Sequence, residues 1–414
     1  MSLFYNIIIN LASVSVRLFG GLNKKIQLGQ KGRGESLLIL KQRLSSSDKV
    51  IWLHCASLGE YEQGLPVFQA LKKQWENHKF VMTFFSPSGY EIRKNNSIAD
   101  IVVYLPLDQK KVVKSFLDIT HPELVVFVKY DLWPNYLLEL KRRAIKTVLI
   151  SASFRPSQPY FKLYGLWFKK LLFTFDHIFT QDTASKVLLN SIGFNAVTVS
   201  GDTRFDRVGN QLKTDNTLDF IAAFKNNKIC VVAGSTWPED ETLLINYINS
   251  STENTKFVIA PHNIDLNQIE SMIKRLKKPF VRYSNYTTET LEDKSVFIVD
   301  TIGLLTKIYS YADIAYVGGA MGTSGLHNTL EAATFGLPIV IGKRYQKFPE
   351  AKAMLSNGGL TSIRDFESLE SSLNMLINDS KKRLESGQKN KAYIEDNKGA
   401  STIVITELKR LYKS

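Results

Sequence analysis

Two stretches of this chain carry the residue types that acid–base and phosphate chemistry need. The first is Cys55-Ala56-Ser57-Leu58-Gly59-Glu60. An apolar run stops, small residues turn the chain, and a carboxylate falls at the start of an expected helix. Glycine permits the tight turn. Glu60 there either caps the helix, favoured by its dipole, or faces a cleft as a general base. The second spans residues 316–333, where Gly318, Gly319 and Gly325 precede His327, Asn328 and Glu331. Glycines let backbone amides approach a phosphate, and a helix N-terminus attracts its charge. The expected helix starts near Leu326, with His327, Asn328 and Glu331 on one face of its first turn. Glu331 is then placed to accept both hydroxyls of a ribose. The spacing is neither the GxGxxG fingerprint nor a Walker loop.

Other loops add candidates. Ser86, Ser88 and Gly89 form a hydroxyl-rich turn that either holds a sugar or phosphate through backbone amides or simply caps a helix. Asp131, ahead of Pro134, either caps the next helix or faces the same cleft, and Trp133 reads as packing. Ser153 and Arg155 end a further apolar run. Gly234, Ser235 and Thr236 suit a phosphate. His262 either donates to an anion or is a structural residue. Lys343, Arg344 and Lys347 either offset a nucleotide phosphate or form a solvated basic turn.

These loops share one kind of place: each follows a short β-branched or aromatic run. Such runs occupy 49–55, 79–85, 101–105, 124–128, 147–152, 177–180 and 197–200, with amphipathic helical patterns between them. The rhythm restarts at 228–234, 256–260, 279–283, 296–299, 314–319 and 338–342. Alternation of this kind implies parallel sheets covered by helices on both faces. Ligands of such sheets bind beyond the carboxyl ends of the strands. The polar stretch 209–216 is the candidate linker, so the expected organisation is 1–45, an N-terminal anchor helix with a basic flank; 46–208; 217–395; and 396–414, a last helix packing back on the first domain.

Composition fits a two-domain globular chain: 414 residues, 44% hydrophobic and 11% aromatic. A formal net charge of +14 points to an anionic partner, whether nucleic acid, acidic lipid or phosphorylated substrate. Cys55 and Cys230 both sit in apolar runs and read as buried, reduced thiols. The six histidines show no metal-ligand spacing. The apolar run 3–19, broken by Asn6, Asn10 and Arg17, is followed by Lys24, Lys25, Lys31 and Arg33. It reads either as an amphipathic helix on the protein's own surface or as a monotopic or marginally spanning anchor with a cytoplasmic basic flank.

In order along the chain stand WLHCASLGEYEQGLP, TFFSPSGYE, YLPLD, DLWPN, ISASF, VSGDTRFD, AGSTWPEDE, APH and YVGGAMGTSGLHNTLEAATFGLPIVIG. This order resembles that of the bacterial 3-deoxy-D-manno-octulosonic acid (Kdo) transferases, over nearly the whole chain. The resemblance implies the α/β GT-B fold, two Rossmann-like doubly wound domains facing a cleft, and an N-terminal membrane-associated helix. It implies an inverting transfer of Kdo from CMP-Kdo to lipid IVA, with Glu60 as the base. With the loops read above, acceptor contacts are expected at Ser57, Gly59, Ser86, Ser88, Gly89, Asp131 and Ser153. Donor contacts fall at Gly234, Ser235, Thr236, His262, Gly318, Gly319, Gly325, His327, Asn328, Glu331 and Lys343. No acidic DxD-like metal motif is evident, so no metal or cofactor is expected, nor nucleic acid; the basic surface is expected to meet anionic lipids at the cytoplasmic face of the inner membrane. The chain departs from the family pattern in places: the first acid of ETELWPN is Lys129 here and the second is the shorter Asp131; ARLS is Ser151-Ala152-Ser153-Phe154; and PRH is Pro261-His262, leaving Arg344, Lys343 or Lys347 to meet the phosphate, unless donor binding differs. Two rivals stand beside this reading. A nucleotide-sugar 2-epimerase would need no anchor, and a non-catalytic basic binding protein would show aromatic-interleaved basic stretches or a nucleic-acid module.

Overall fold

Apolar runs without polar alternation belong to strands buried on both faces, a burial that helices above and below a parallel sheet provide. The computed structural model, which describes residues 2–19, 23–95, 98–129, 131–251 and 254–413, holds fourteen such strands in two sheets. Residues 1 and 20–22 of the N-terminal segment, and Tyr130, lie outside the described residues. The chain divides into two units: 1–207 with 398–414, and 208–397.

The first unit contains β1 (Val50–Cys55), β2 (Lys79–Phe84), β3 (Ile101–Tyr104), β4 (Pro122–Val128), β5 (Lys146–Ala152), β6 (His177–Thr180) and β7 (Val197–Val199). They pair in parallel, in the order β3-β2-β1-β4-β5-β6-β7. Every residue of β1 is buried. The order reverses direction between β1 and β4, the switch point where ligands of doubly wound sheets bind. The second unit contains β8 (Ile229–Thr236), β9 (Thr255–Pro261), β10 (Phe280–Arg282), β11 (Val296–Ile298), β12 (Ile314–Val317), β13 (Ile339–Ile341) and β14 (Leu360–Ser362). Its parallel order is β10-β11-β9-β8-β12-β13-β14, with the switch between β8 and β12.

The segment 1–45 is not a separate body: its described helices, Ser2–Phe19 and Lys24–Arg43, belong to the first unit. No helix among the described residues is long and apolar enough to cross a membrane, so the spanning form of the anchor fails. The cause is in the sequence, because Asn6 and Asn10 interrupt the run. They are also what holds it. Tyr5 Oη–H donates to Asp108 Oδ2 at 2.7 Å, Asn135 Nδ2–H to Asn6 Oδ1 at 2.8 Å, and Gln109 Nε2–H to Asn10 Oδ1 at 2.9 Å. Phe4, Ile7, Ile8, Leu11 and Val14 are consequently exposed, an apolar stripe at helical spacing turned away from the fold.

The stretch 209–216 is not a plain linker either. The helix Thr203–Gln211 runs into it, and the division between units falls within that helix. Its buried Phe205 and Val208, three apart, supply the periodicity. The terminal helix Ala400–Lys413 belongs to the first unit and buries Val404 and Leu408 among Val67, Phe68 and Leu71 of the helix Leu58–Gln74. Cys55 and Cys230 are free and buried.

Candidate active-site loops in the two units

In the first unit, the loops after β1 and β4 meet at the switch point. Glu60 is the third residue of the helix Leu58–Gln74, with Ser57 as its N-cap. Its Oε2 accepts from the Ala56 amide in a very short hydrogen bond. So the carboxylate does cap the turn, with one oxygen. It is only half-buried, and burial followed by the charge of Asp131 raises its pKa above the ordinary carboxylate value of 4.5. The Ala56 amide, His54 and Lys129 act against that rise. Capping and proton abstraction therefore do not compete for the same atom.

Asp131 is fixed by residues that the sequence reading passed over. Trp133 Nε1–H donates to Asp131 Oδ2 at 2.9 Å, and His54 Nε2 lies 2.7 Å from the same oxygen. His54 Nδ1 is 2.7 Å from Thr83 Oγ1, which also receives the Trp52 indole N–H at 2.8 Å. A buried polar chain thus ties the β4 loop to the centre of the sheet. Trp133 is part of this chain and not packing alone. The available signal was His54 itself, a polar residue within the otherwise apolar run VIWLHC. Lys129 adopts φ of +65°, and burial lowers the pKa of its ammonium while the charge of Glu60 opposes that.

The remaining acceptor-side candidates divide. Ser57 and the exposed Gly59 precede Glu60 in the same turn. Ser86 caps the helix Pro87–Arg93 through the Ser88 amide, and its own amide donates to Ala56 O at 2.8 Å. Ser88 is exposed. Gly89 is a packing position: a Cβ there would lie 2.3 Å from the Phe84 ring and 3.1 Å from the Leu58 amide. Ser153 is half-buried just beyond the end of β5.

In the second unit, the ends of β8 and β12 are tied together by the Gly318 amide donating to Gly234 O at 3.0 Å. Asp240, fully buried, locks the loop: it accepts from the Gly319 amide at 2.8 Å, the Trp237 amide at 3.0 Å and the Tyr316 hydroxyl at 2.7 Å. A Cβ at Gly318 would stand 2.4 Å from Ser235 O, so that position admits glycine only. Gly319 and Gly325 have φ of +93° and +95°, in the left-handed region. Neither Trp237 nor Asp240 is among the candidates named from the sequence.

Trp237, His262 and His327 stack. The two imidazoles are 4.2 Å apart and the indole is 5.0 Å from His262. Trp237 Nε1–H donates to His327 Nε2 at 2.8 Å. An indole can only donate, so Nε2 accepts and the imidazole proton sits on Nδ1. Burial, then the neighbouring His262, push the His327 pKa down to about 4. His262 is exposed, and its amide donates to Thr236 O at 2.9 Å.

One expectation is corrected. The helix here is only Leu330–Ala333, so His327 and Asn328 precede it and do not lie in its first turn. Asn328 Oδ1 takes the Leu330 amide at 3.2 Å, a local side-chain bond that competes with helix formation. Glu331 accepts from Asn328 Nδ2–H at 3.1 Å and from Thr306 Oγ1–H at 3.3 Å. Lys343 is exposed after β13, in a loop whose Arg344 amide donates to Ala320 O at 2.9 Å. Ser235 and Thr236 thus end β8, while His262, Gly318, Gly319, His327 and Lys343 follow β9, β12 and β13, its neighbours in the sheet.

Residues 31–207 match the family model of 3-deoxy-D-manno-octulosonic-acid transferase (kdotransferase). The chain is 28% identical over 375 residues to a 3-deoxy-D-manno-octulosonic acid transferase of Haemophilus influenzae, covering 87% of this chain and 86% of that protein. It is 26% identical over 324 residues to one from Aquifex aeolicus, covering 77% and 83%. Among solved structures, UDP-GlcNAc 2-epimerase from Neisseria meningitidis superposes with a TM-score of 0.62 at 16% identity, over 87% of this chain and all of that one. At that identity the likeness speaks for the fold alone. The fold is thus that of two doubly wound α/β units, each built on a parallel seven-stranded sheet. In sequence the chain is similar to the bacterial Kdo transferases, and residues 31–207 match their family model.

Proposed function

We propose that this enzyme transfers Kdo from CMP-Kdo to lipid IVA in lipopolysaccharide biosynthesis, with inversion at the anomeric carbon. The observation that carries the reading is Glu60: a half-buried carboxylate of raised pKa, at the switch point of a Kdo transferase domain, with one oxygen engaged by an amide. Its other oxygen takes the proton of the acceptor's primary hydroxyl. That hydroxyl oxygen attacks the anomeric carbon, and CMP departs with the bonding pair. The reading requires an acceptor held on the first unit to meet a donor held on the second. Negative charge grows on the leaving phosphate, where the glycine-loop amides and the uncharged Nδ1–H of His327 would stabilise it. Lys343 adds a cation. The displacement as proposed calls for no metal and no cofactor. The outward stripe Phe4, Ile7, Ile8, Leu11 and Val14 supports peripheral association with the cytoplasmic face of the inner membrane. The net charge of +14 favours its anionic lipids over neutral ones.

The test is transfer from CMP-Kdo to lipid IVA by the wild type and by Glu60→Gln. The variant should lose about a hundredfold or more in kcat, the scale of general-base catalysis, with the KM for CMP-Kdo little changed. Equal rates would return Glu60 to a helix cap. No product from a folded wild type would overturn the reaction.

A further inference from the structure

A cavity of about 710 Å³ lies in the first unit between the two N-terminal helices and the loops that follow β2 and β3. That is within the roughly 300–1,000 Å³ of small-molecule sites. Ile26, Leu37, Phe85 and Leu107 make its walls apolar. One cation is set among them. Arg33 donates through Nη2–H to Phe85 O at 2.6 Å, and its guanidinium lies 4.4 Å from the Phe85 ring centroid. Its Nε is buried without an acceptor. Among the described residues no carboxylate pairs with it, whereas Arg93, Arg143, Arg204 and Arg207 of the same unit each have one. Burying a cation is costly unless an anion answers it. An apolar cavity with an unanswered cation in its wall fits an amphiphile that has a chain and an acidic group.

We propose that this cavity takes an acyl chain of the acceptor while Arg33, with the exposed Lys25 at the rim, meets its phosphate. The identity of the amphiphile as the acceptor rests on the function proposed above; its chemical class rests on the cavity. The position suits that role. Ser86 lines the cavity and donates its amide to Ala56 O, and the Ala56 amide in turn donates to Glu60. A lipid held here is anchored one hydrogen-bonded turn away from the candidate base.

Gly34 gives a clean probe. It lines the cavity, and a Cβ added to it would meet nothing within 4 Å. Gly34→Phe therefore adds a ring at the cavity wall with no clash at its Cβ. With a bromine-tipped alkyl phosphate as ligand, tryptophan fluorescence should be quenched saturably, because the Trp133 ring is 4.7 Å from Phe85. Gly34→Phe and Arg33→Met should each weaken that binding at least tenfold, and a bromine-tipped alkyl ammonium should not bind. For transfer, the ratio of kcat/KM for long-chain over chain-shortened acceptor should fall at least tenfold in Gly34→Phe. Absence of saturable quenching in the wild type, or equal affinity in all three proteins, overturns the site. Saturable, Gly34-sensitive quenching in a protein that transfers no Kdo upholds the site and sinks the proposed reaction instead.

Discussion

Lys129 sets the charge next to the candidate base. Its ammonium lowers the pKa of Glu60 against the effects of burial and Asp131. A base works only when ionised, so activity falls as pH drops through its pKa. Removing the cation should move that acid limb upward. We expect Lys129→Met to shift the limb of kcat/KM against pH to higher values, and Lys129→Glu to shift it further; a limb that stays in place would mean another group titrates. On the donor side, Trp237→Phe keeps the ring stack but removes the N–H that occupies His327 Nε2. The His327 pKa should then rise from about 4, read from imidazole nitrogen shifts. The sign for stability follows from the same numbers. The folded pKa of about 4 lies below the ordinary 6.5, so between these values the unfolded chain binds the extra proton. Stability contributed by neutral His327 is therefore present above about 6.5 and lost as pH falls toward 4, and Trp237→Phe should flatten that loss.

The glycine loop after β12 is an element whose shape is held from outside itself. Asp240, at the start of the helix Pro238–Ser250, accepts three hydrogen bonds that join β12, the loop and its own helix turn. Removing the acceptor leaves buried donors unpaired, at about 1–3 kcal/mol each. Asp240→Ala should cost at least about 3 kcal/mol by urea denaturation, on that scale. Gly318→Ala has no room to relax, since the obstructing atom is the Ser235 backbone oxygen. It should raise the KM for donor more than it lowers kcat.

The whole molecule is not assembled in chain order. The last helix returns to the first unit, where Asp206 accepts from the Gly399 and Ser401 amides at 2.5 and 2.6 Å and caps its start. Deleting residues 398–414 should therefore strip amide-exchange protection from β1 to β4 and leave β8 to β14 protected. Uniform loss, or loss confined to the second sheet, would contradict this partition. Sequence reading placed most strands within a residue or two because strands buried on both faces are apolar throughout, as VIWLHC and KICVVAG are. It missed the short β14, Leu360–Ser362, whose LTS carries almost no apolar signal.

The sequence by itself determined the two parallel sheets and the loops that follow their strands, because strand burial and turn chemistry are local properties of the chain. It also offered Glu60 and the glycines as candidates, since a carboxylate after a turn and a run of glycines are legible one residue at a time. Only the tertiary structure decided the partners. His54 reaches Asp131, Trp237 reaches His327 and Arg33 lies over Phe85 across separations of 77, 90 and 52 residues. Nothing in the local pattern encodes such pairings, because they depend on which strands become neighbours. The same holds for the first helix. Its Tyr5, Asn6 and Asn10 bond to the protein while Phe4, Ile7, Ile8, Leu11 and Val14 face out, an orientation fixed by Asp108, Gln109 and Asn135, far along the chain.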